Sequence, residues 1–207
     1  MAVVRTRVLL RGLLAFGLVA LLSACATSSA QDASVEEAAA AAYVPGGTPK
    51  LTLLTVVNNT TGSGGHTALI VSGSQQVIFD PAGSFRHERV KERGDVLYGM
   101  TPGWIAAYKS AHARSAYHVV TQEIEVSVAQ GETALDLVQR NGAVGSAFCA
   151  QSTSSILRRI PGFSEISPTF FPVKLMEQVA KRPDVVTQTY FENDQGDVVD
   201  GITAAAG

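Results

Sequence analysis

The chain predicts an α+β domain, and three observations carry that expectation. Apolar, β-branched runs at Leu51–Val57, His66–Val71 and Gln76–Asp80 have the length and make-up of strands. Stretches at Pro102–Ala113, at Glu132–Arg140 and from Phe148 onward carry apolar residues at helical spacing. Strands and helices are mixed without the regular βαβ alternation of a parallel sheet, so an antiparallel sheet with helices packed on it is expected. The 207 residues suffice for one domain with a sizeable core, and a hydrophobic content of 46% is ordinary for a globular protein.

The first 24 residues read as a leader. Arg5, Arg7 and Arg11 give a positive start, and Leu13–Leu22 is an apolar run too short to span a bilayer comfortably. Leu22-Ser23-Ala24-Cys25 resembles the lipobox of bacterial lipoproteins. The resemblance implies a signal peptide over 1–24 and a lipidated Cys25, hence a membrane partner through that anchor. Ala26 follows the cysteine where the inner-membrane retention rule would want Asp, which implies the outer membrane in a diderm cell envelope. Without the three leader arginines the formal charge of −2 becomes −5. An acidic domain with no basic run argues against nucleic acid as a partner. Residues 25–48, rich in Ala, Ser and Gly, are expected to be the lipidated N-terminus and a flexible tether.

The domain is expected over 49–195. Asn58–Gly65 is a loop by composition; it lacks the Gly-Lys-Ser/Thr ending of a phosphate loop and any dinucleotide-binding glycine spacing, so no cofactor is expected. The strands His66–Val71 and Gln76–Asp80 flank Ser72-Gly73-Ser74-Gln75, a hairpin signature. Pro81-Ala82-Gly83 ends the second strand, Arg86–Arg93 is charged and expected to be exposed, and Asp95–Met100 is a candidate short strand. Pro102 suits a first helical turn, with Trp104, Ala107 and Tyr108 on one face. Tyr117–Val128 alternates as a strand does, and Asn141-Gly142 stops the helix Glu132–Arg140. Leu175–Lys181 reads as a short helix and Val185–Phe191 as the last strand. Residues 196–207 form an Ala/Gly-rich tail expected to be flexible.

Apart from the expected lipidation site Cys25, Cys149 is the sole cysteine. Phe148, Ser152, Ile156 and Ile160 recur along one helical face, which places the thiol at or near a helix N-terminus. There the unpaired N–H groups and the helix dipole favour the nucleophilic thiolate. The alternative reading of a lone cysteine is a small buried core residue. His66 lies seven residues before Gly73 and Asp80 seven after it, so a hairpin centred on Gly73 sets them opposite on one face. A carboxylate so placed fixes the imidazole tautomer and leaves the other ring nitrogen for a thiol proton, the logic of a cysteine–histidine–carboxylate nucleophile. His87, His112 and His118 are expected at the surface, and no metal is expected.

Gly65-His66-Thr67-Ala68-Leu69-Ile70, then Val77-Ile78-Phe79-Asp80, then Ala147-Phe148-Cys149 opening a helix, resembles the circularly permuted papain-like enzymes, which include the permuted NlpC-type peptidases and the lecithin:retinol acyltransferase-like enzymes. In that group the histidine strand precedes the cysteine helix, as it does between Leu51 and Ile160 here. The resemblance implies a permuted papain-like fold with the cysteine helix packed on an antiparallel sheet. It also implies Cys149 as nucleophile, His66 as general base and Asp80 as the orienting residue. Ala150-Gln151 stands where relatives often carry Ser-Glu. The implied activity is a cell-envelope cysteine hydrolase cleaving an amide bond, with a peptidoglycan peptide as substrate. An acyl-lipid hydrolase or transferase with the same triad, and a non-catalytic lipoprotein using the fold as a binding module, remain as alternatives.

Overall fold

The computed structural model describes residues 32–192 except 115. The expected leader 1–24, the lipidation site Cys25 and the tail 196–207 lie outside the described residues.

The elements run in the order α1 (Val35–Ala40), β1 (Lys50–Asn58), β2 (Gly64–Ser72), β3 (Gln76–Phe79), β4 (Lys91–Arg93) and β5 (Val96–Tyr98). Then come α2 (Pro102–His112), β6 (Tyr117–Glu125), α3 (Val128–Asn141), α4 (Cys149–Arg159), α5 (Pro172–Val179) and β7 (Val186–Tyr190). The class is α+β. The seven strands form one antiparallel sheet in the order β4-β5-β3-β2-β1-β6-β7.

The near-continuous apolar run of β1 has a direct cause: its strand is covered on both faces. Leu51 and Leu53, with Leu69, Val71, Val77 and Phe79, pack under Ala134 and Val138 of α3, Ile156 and Leu157 of α4 and Leu175 of α5. Leu54 and Val56, with Ala68, Ile70 and Ile78, pack against Tyr108 and Ala111 of α2, closed by Phe85 and Met100. Burial of this apolar surface on both sides is the main force holding the layers together. Three of the helices start at side-chain caps. Ser127 and Gln130 form a reciprocal capping box at α3, Thr101 caps α2 with Pro102 in its first turn, and Gly142, at φ 73°, ends α3. That box moves the start of α3 to Val128, ahead of the expected Glu132.

Two expectations are corrected. The first is the tether: residues 33–43 are docked. Ser34 and Glu37 box the start of α1, whose Ala38 is buried in the core. Ala33 N–H donates to the Glu92 carbonyl at 2.8 Å, and the Arg93 guanidinium donates to the Ala33 carbonyl at 2.9 Å. Farther along, Gln76 N–H donates to the Tyr43 carbonyl at 2.8 Å. The segment thus straps the β4 side of the sheet. The alanines that suggested a linker are the residues that let a short helix sit close.

The second correction is the hairpin register. Ser72 pairs with Gln76 and Leu69 with Phe79, so the hairpin centres on Ser74 rather than Gly73. Continued to Asp80, that register puts Ala68 opposite it, and His66 becomes a diagonal neighbour. A shift of two residues preserves the face, because side chains alternate with period two.

Candidate active site

The site forms where β3 stops. Its pairing with β2 begins at Leu69, so the start of β2, Gly64–Ala68, has no partner strand on that side. Asp80 turns away and donates its N–H to the Asp95 carbonyl at 2.8 Å. His66 shares a face with Ala68 and Ile70, under α2, whereas α4 packs on the other face. The open end of the sheet is what allows the first residue of α4 to meet a side chain from the opposite layer.

His66 Nε2 lies 2.6 Å from Asp80 Oδ1. Asp80 is buried, and its Oδ1 also accepts from the Tyr108 hydroxyl at 2.5 Å. With Nε2 engaged, Nδ1 is the ring nitrogen left for the thiol, and His66 and Cys149 lie close enough to shift each other's titration. The sulfur also receives the backbone N–H groups of Thr67, from the unpaired start of β2, and of Ala150, from the first turn of α4. Cys149 is the first residue of α4, as expected, and it is buried. Ala147, at φ 69°, bends the chain into that helix in a conformation that disfavours any residue with a Cβ.

These contacts set the protonation states. Burial pushes the Cys149 thiol up, but the hydrogen bond and charge of His66, with the two backbone N–H groups, hold it below an ordinary thiol. Burial pushes His66 down, yet the Asp80 carboxylate and the Cys149 sulfur outweigh it and raise the imidazole to about 10. Burial likewise raises Asp80, and His66, His112 and Tyr108 together bring it below the usual carboxylate value. Both shifts favour the thiolate–imidazolium form of the pair over the neutral thiol and imidazole. Tyr108, raised well above 10 by burial and by the Asp80 charge, stays a neutral donor.

His112 corrects the expectation of a surface residue. It is buried, its Nδ1 lies 2.8 Å from the Tyr108 carbonyl, and its ring stacks on His66 at 5.8 Å. Burial, with the His66 charge, lowers its pKa and keeps it neutral. Tyr108 and His112 are one helical turn apart on α2, so one face of that helix supplies both. His118, by contrast, lies at the surface beside Asn59, 2.7 Å from its Oδ1.

Sequence reasoning missed a further residue. Asp95 Oδ2 accepts from Ala82 N–H at 3.0 Å and from Val144 N–H at 2.9 Å. It therefore clamps the loop after Asp80 to the loop before Cys149. In sequence it shows only as an Asp after Gly94, a turn signal, and its φ is 63°.

Ligand atoms of His66, Asp80 and His112 lie within 4.8 Å of one another, a spacing that admits a metal ion. Asp80 Oδ1, however, already holds His66 and Tyr108, and a metal bound there would displace both. The chemistry of the set as it stands is proton transfer. A cavity of about 270 Å³ bordered by His66, His112, Gly83 and Tyr117 gives water a route to the imidazole. Phe148, Phe170 and Phe171 stand exposed beside the thiol, with Phe148 and Phe170 edge to face at 5.4 Å. No family model, no curated protein and no solved structure matches the chain.

Proposed function

We propose that the domain is a thiol hydrolase of permuted papain-like architecture, lipid-anchored at Cys25 in the cell envelope, that works through an acyl-enzyme on Cys149. The observation that carries this reading is the His66 ring held between the Asp80 carboxylate and the Cys149 sulfur. In the first half-reaction the thiolate adds to a carbonyl carbon, and the oxyanion can take the Cys149 N–H, a first-turn donor with no intrahelical acceptor. The His66 imidazolium then gives its proton to the leaving nitrogen or oxygen, and a thioester remains on Cys149. In the second half, neutral His66 takes a proton from water, the hydroxide adds to the thioester, and the thiolate leaves. Asp80 and Tyr108 hold the ring in the tautomer both steps need.

The resemblance favours an amide in a peptidoglycan peptide as substrate. A second reading, an acyl ester of a lipid, draws support from the exposed Phe148, Phe170 and Phe171 beside Cys149. One experiment tests both. The full-length protein is incubated with purified peptidoglycan and, separately, with phospholipid vesicles, and products are read by mass spectrometry with Cys149→Ala as control. Cys149-dependent release of muropeptides supports the first reading, and Cys149-dependent fatty acid release the second. No Cys149-dependent product from either, in a protein whose thiol alkylates normally, would leave a binding module as the better account.

A further inference from the structure

The molecule has two ends, and its functional features gather at one of them. At the first end lie the start of β2, the end of β3, the N-terminus of α4 and the Asp95 clamp. At the second lie the hairpin turn at Ser74 and the start of α3, joined where Ser74 N–H donates to Glu132 at 2.7 Å. Three large apolar side chains protrude at the first end. Phe148 is 45% exposed, Phe170 54% and Phe171 67%. Phe148 immediately precedes the nucleophile, and Phe171 leads into Pro172, which packs directly on Gly64 at the start of β2. Three neighbouring phenylalanines left in water need a reason.

The chain enters the domain at the same end. Ala33 is bound to Glu92 and Arg93, and Arg93 leads directly through Gly94 to Asp95, whose carbonyl receives the Asp80 N–H. Because the chain is docked from Ala33 onward, only residues 26–32, seven in number, separate Cys25 from the fold. The eight Cα steps from Cys25 to Ala33 reach at most about 28 Å even when fully extended. A lipid on Cys25 would therefore hold the Phe-bearing end within a short distance of the bilayer.

We propose that Phe148, Phe170 and Phe171 are a membrane-docking surface, inserted into the lipid bilayer that carries the Cys25 anchor, so that the mouth of the Cys149 site faces the membrane. A lipid on Cys25 tethers the chain but does not orient the domain, and burial of three aromatic rings supplies the orienting contact. The proposal rests on lipidation of Cys25 and is independent of which carbonyl Cys149 attacks.

The test uses the full lipidated protein reconstituted in phosphatidylethanolamine/phosphatidylglycerol vesicles, in a Trp104→Phe background that removes the native fluorophore. Two single-tryptophan variants are compared. Phe170→Trp reports on the docking surface. Val128→Trp reports on the opposite end, where Val128 is 67% exposed at the start of α3. The expected result is a blue-shifted emission for Phe170→Trp and quenching by acyl-brominated lipid at least several-fold stronger than for Val128→Trp. Equal quenching at the two sites, or none at Phe170→Trp, would overturn the proposal. So would a blue shift that grows with protein concentration without vesicles, which would mean that a second copy covers the patch. Mass spectrometry of the N-terminal peptide separates these outcomes from failure of the anchor. An unacylated Cys25 overturns the docking argument with it, and alkylation of Cys149 in the same samples reports the thiol chemistry independently.

Discussion

At the scale of single residues, the site depends on how one buried carboxylate is held. A charge taken out of water must be paired and hydrogen-bonded or it destabilises the fold. Asp80 meets that demand through one oxygen, Oδ1, which serves both His66 and Tyr108. Its Oδ2 has no hydrogen-bond partner and lies against Gly83. A Cβ built on Gly83 would stand 1.9 Å from Oδ2 and 2.1 Å from the carboxyl carbon, so the glycine is there for space. The backbone turn that brings it so close is fixed by its own N–H, which donates to the Asp80 carbonyl at 2.9 Å. Gly83→Ala must push the carboxylate away from the ring. The expected outcome is a folded protein destabilised by roughly 1–3 kcal/mol, as for overpacking elsewhere. The pH profile of Cys149 alkylation should move up toward that of an ordinary thiol, near about 8.5. An alkylation profile identical to the wild type would mean that the position of Asp80 does not control the thiol.

At the scale of elements, the triad is assembled by loops that the sheet alone does not fix. β2 brings His66, the end of β3 brings Asp80 and α4 brings Cys149; Asp95 joins the last two through Ala82 and Val144. Asp95→Ala removes the acceptor of both N–H groups, one on exposed Ala82 and one on half-buried Val144, which costs roughly 1 kcal/mol. It should also lower the Cys149 alkylation rate at neutral pH, while Asp95→Asn, which retains an acceptor oxygen, should recover most of both. A loss of stability with no change in thiol reactivity would reduce Asp95 to a merely structural clamp. This coupling also explains what could be read in advance. The strands, the helix start at Cys149 and the pairing of His66 with Asp80 follow from period, composition and parity, which are local properties of the chain. Parity is why the Asp80 contact survives a hairpin centred one residue away from the expected Gly73. His112 and Asp95 were not legible for the same reason in reverse. Nothing near His112 in sequence says that α2 lies with that face on the sheet, and an Asp after Gly reads as a turn residue until its two distant N–H donors are known. The alanines of residues 38–42 were equally ambiguous, since Ala suits a linker and a tightly docked helix alike.

At the scale of the whole molecule, the thiolate–imidazolium pair links stability to pH in a way that neither group would alone. His66, raised from 6.5 to about 10, contributes stability that is complete below 6.5 and declines as pH rises until it is gone above about 10. Cys149, lowered from 9.0, contributes in the opposite sense: its share is complete above 9.0 and is lost as pH falls through its folded value. Between the folded value of Cys149 and 9.0, and above 6.5, the unfolded chain carries one proton on the pair, on sulfur, and the folded chain also carries one, on the ring. The proton counts match, so the pair adds no slope to stability across that window. Asp80, lowered from 3.8, adds a separate loss of stability only as pH falls through its folded value. Cys149→Ser removes the ionising sulfur and with it the compensating half. What remains is the His66 share, still supported by Asp80, which declines as pH rises from 6.5. Denaturant unfolding of the wild type and of Cys149→Ser, at pH 6.5 and at pH 9, should therefore give a difference that widens toward pH 9, by up to about 1.4 kcal/mol for each pH unit. Differencing against the wild type cancels the titration of the surface groups. Two stability curves that stay parallel from pH 6.5 to 9 would show that the folded thiol keeps its proton as long as the unfolded one does, so that the resting site holds no thiolate.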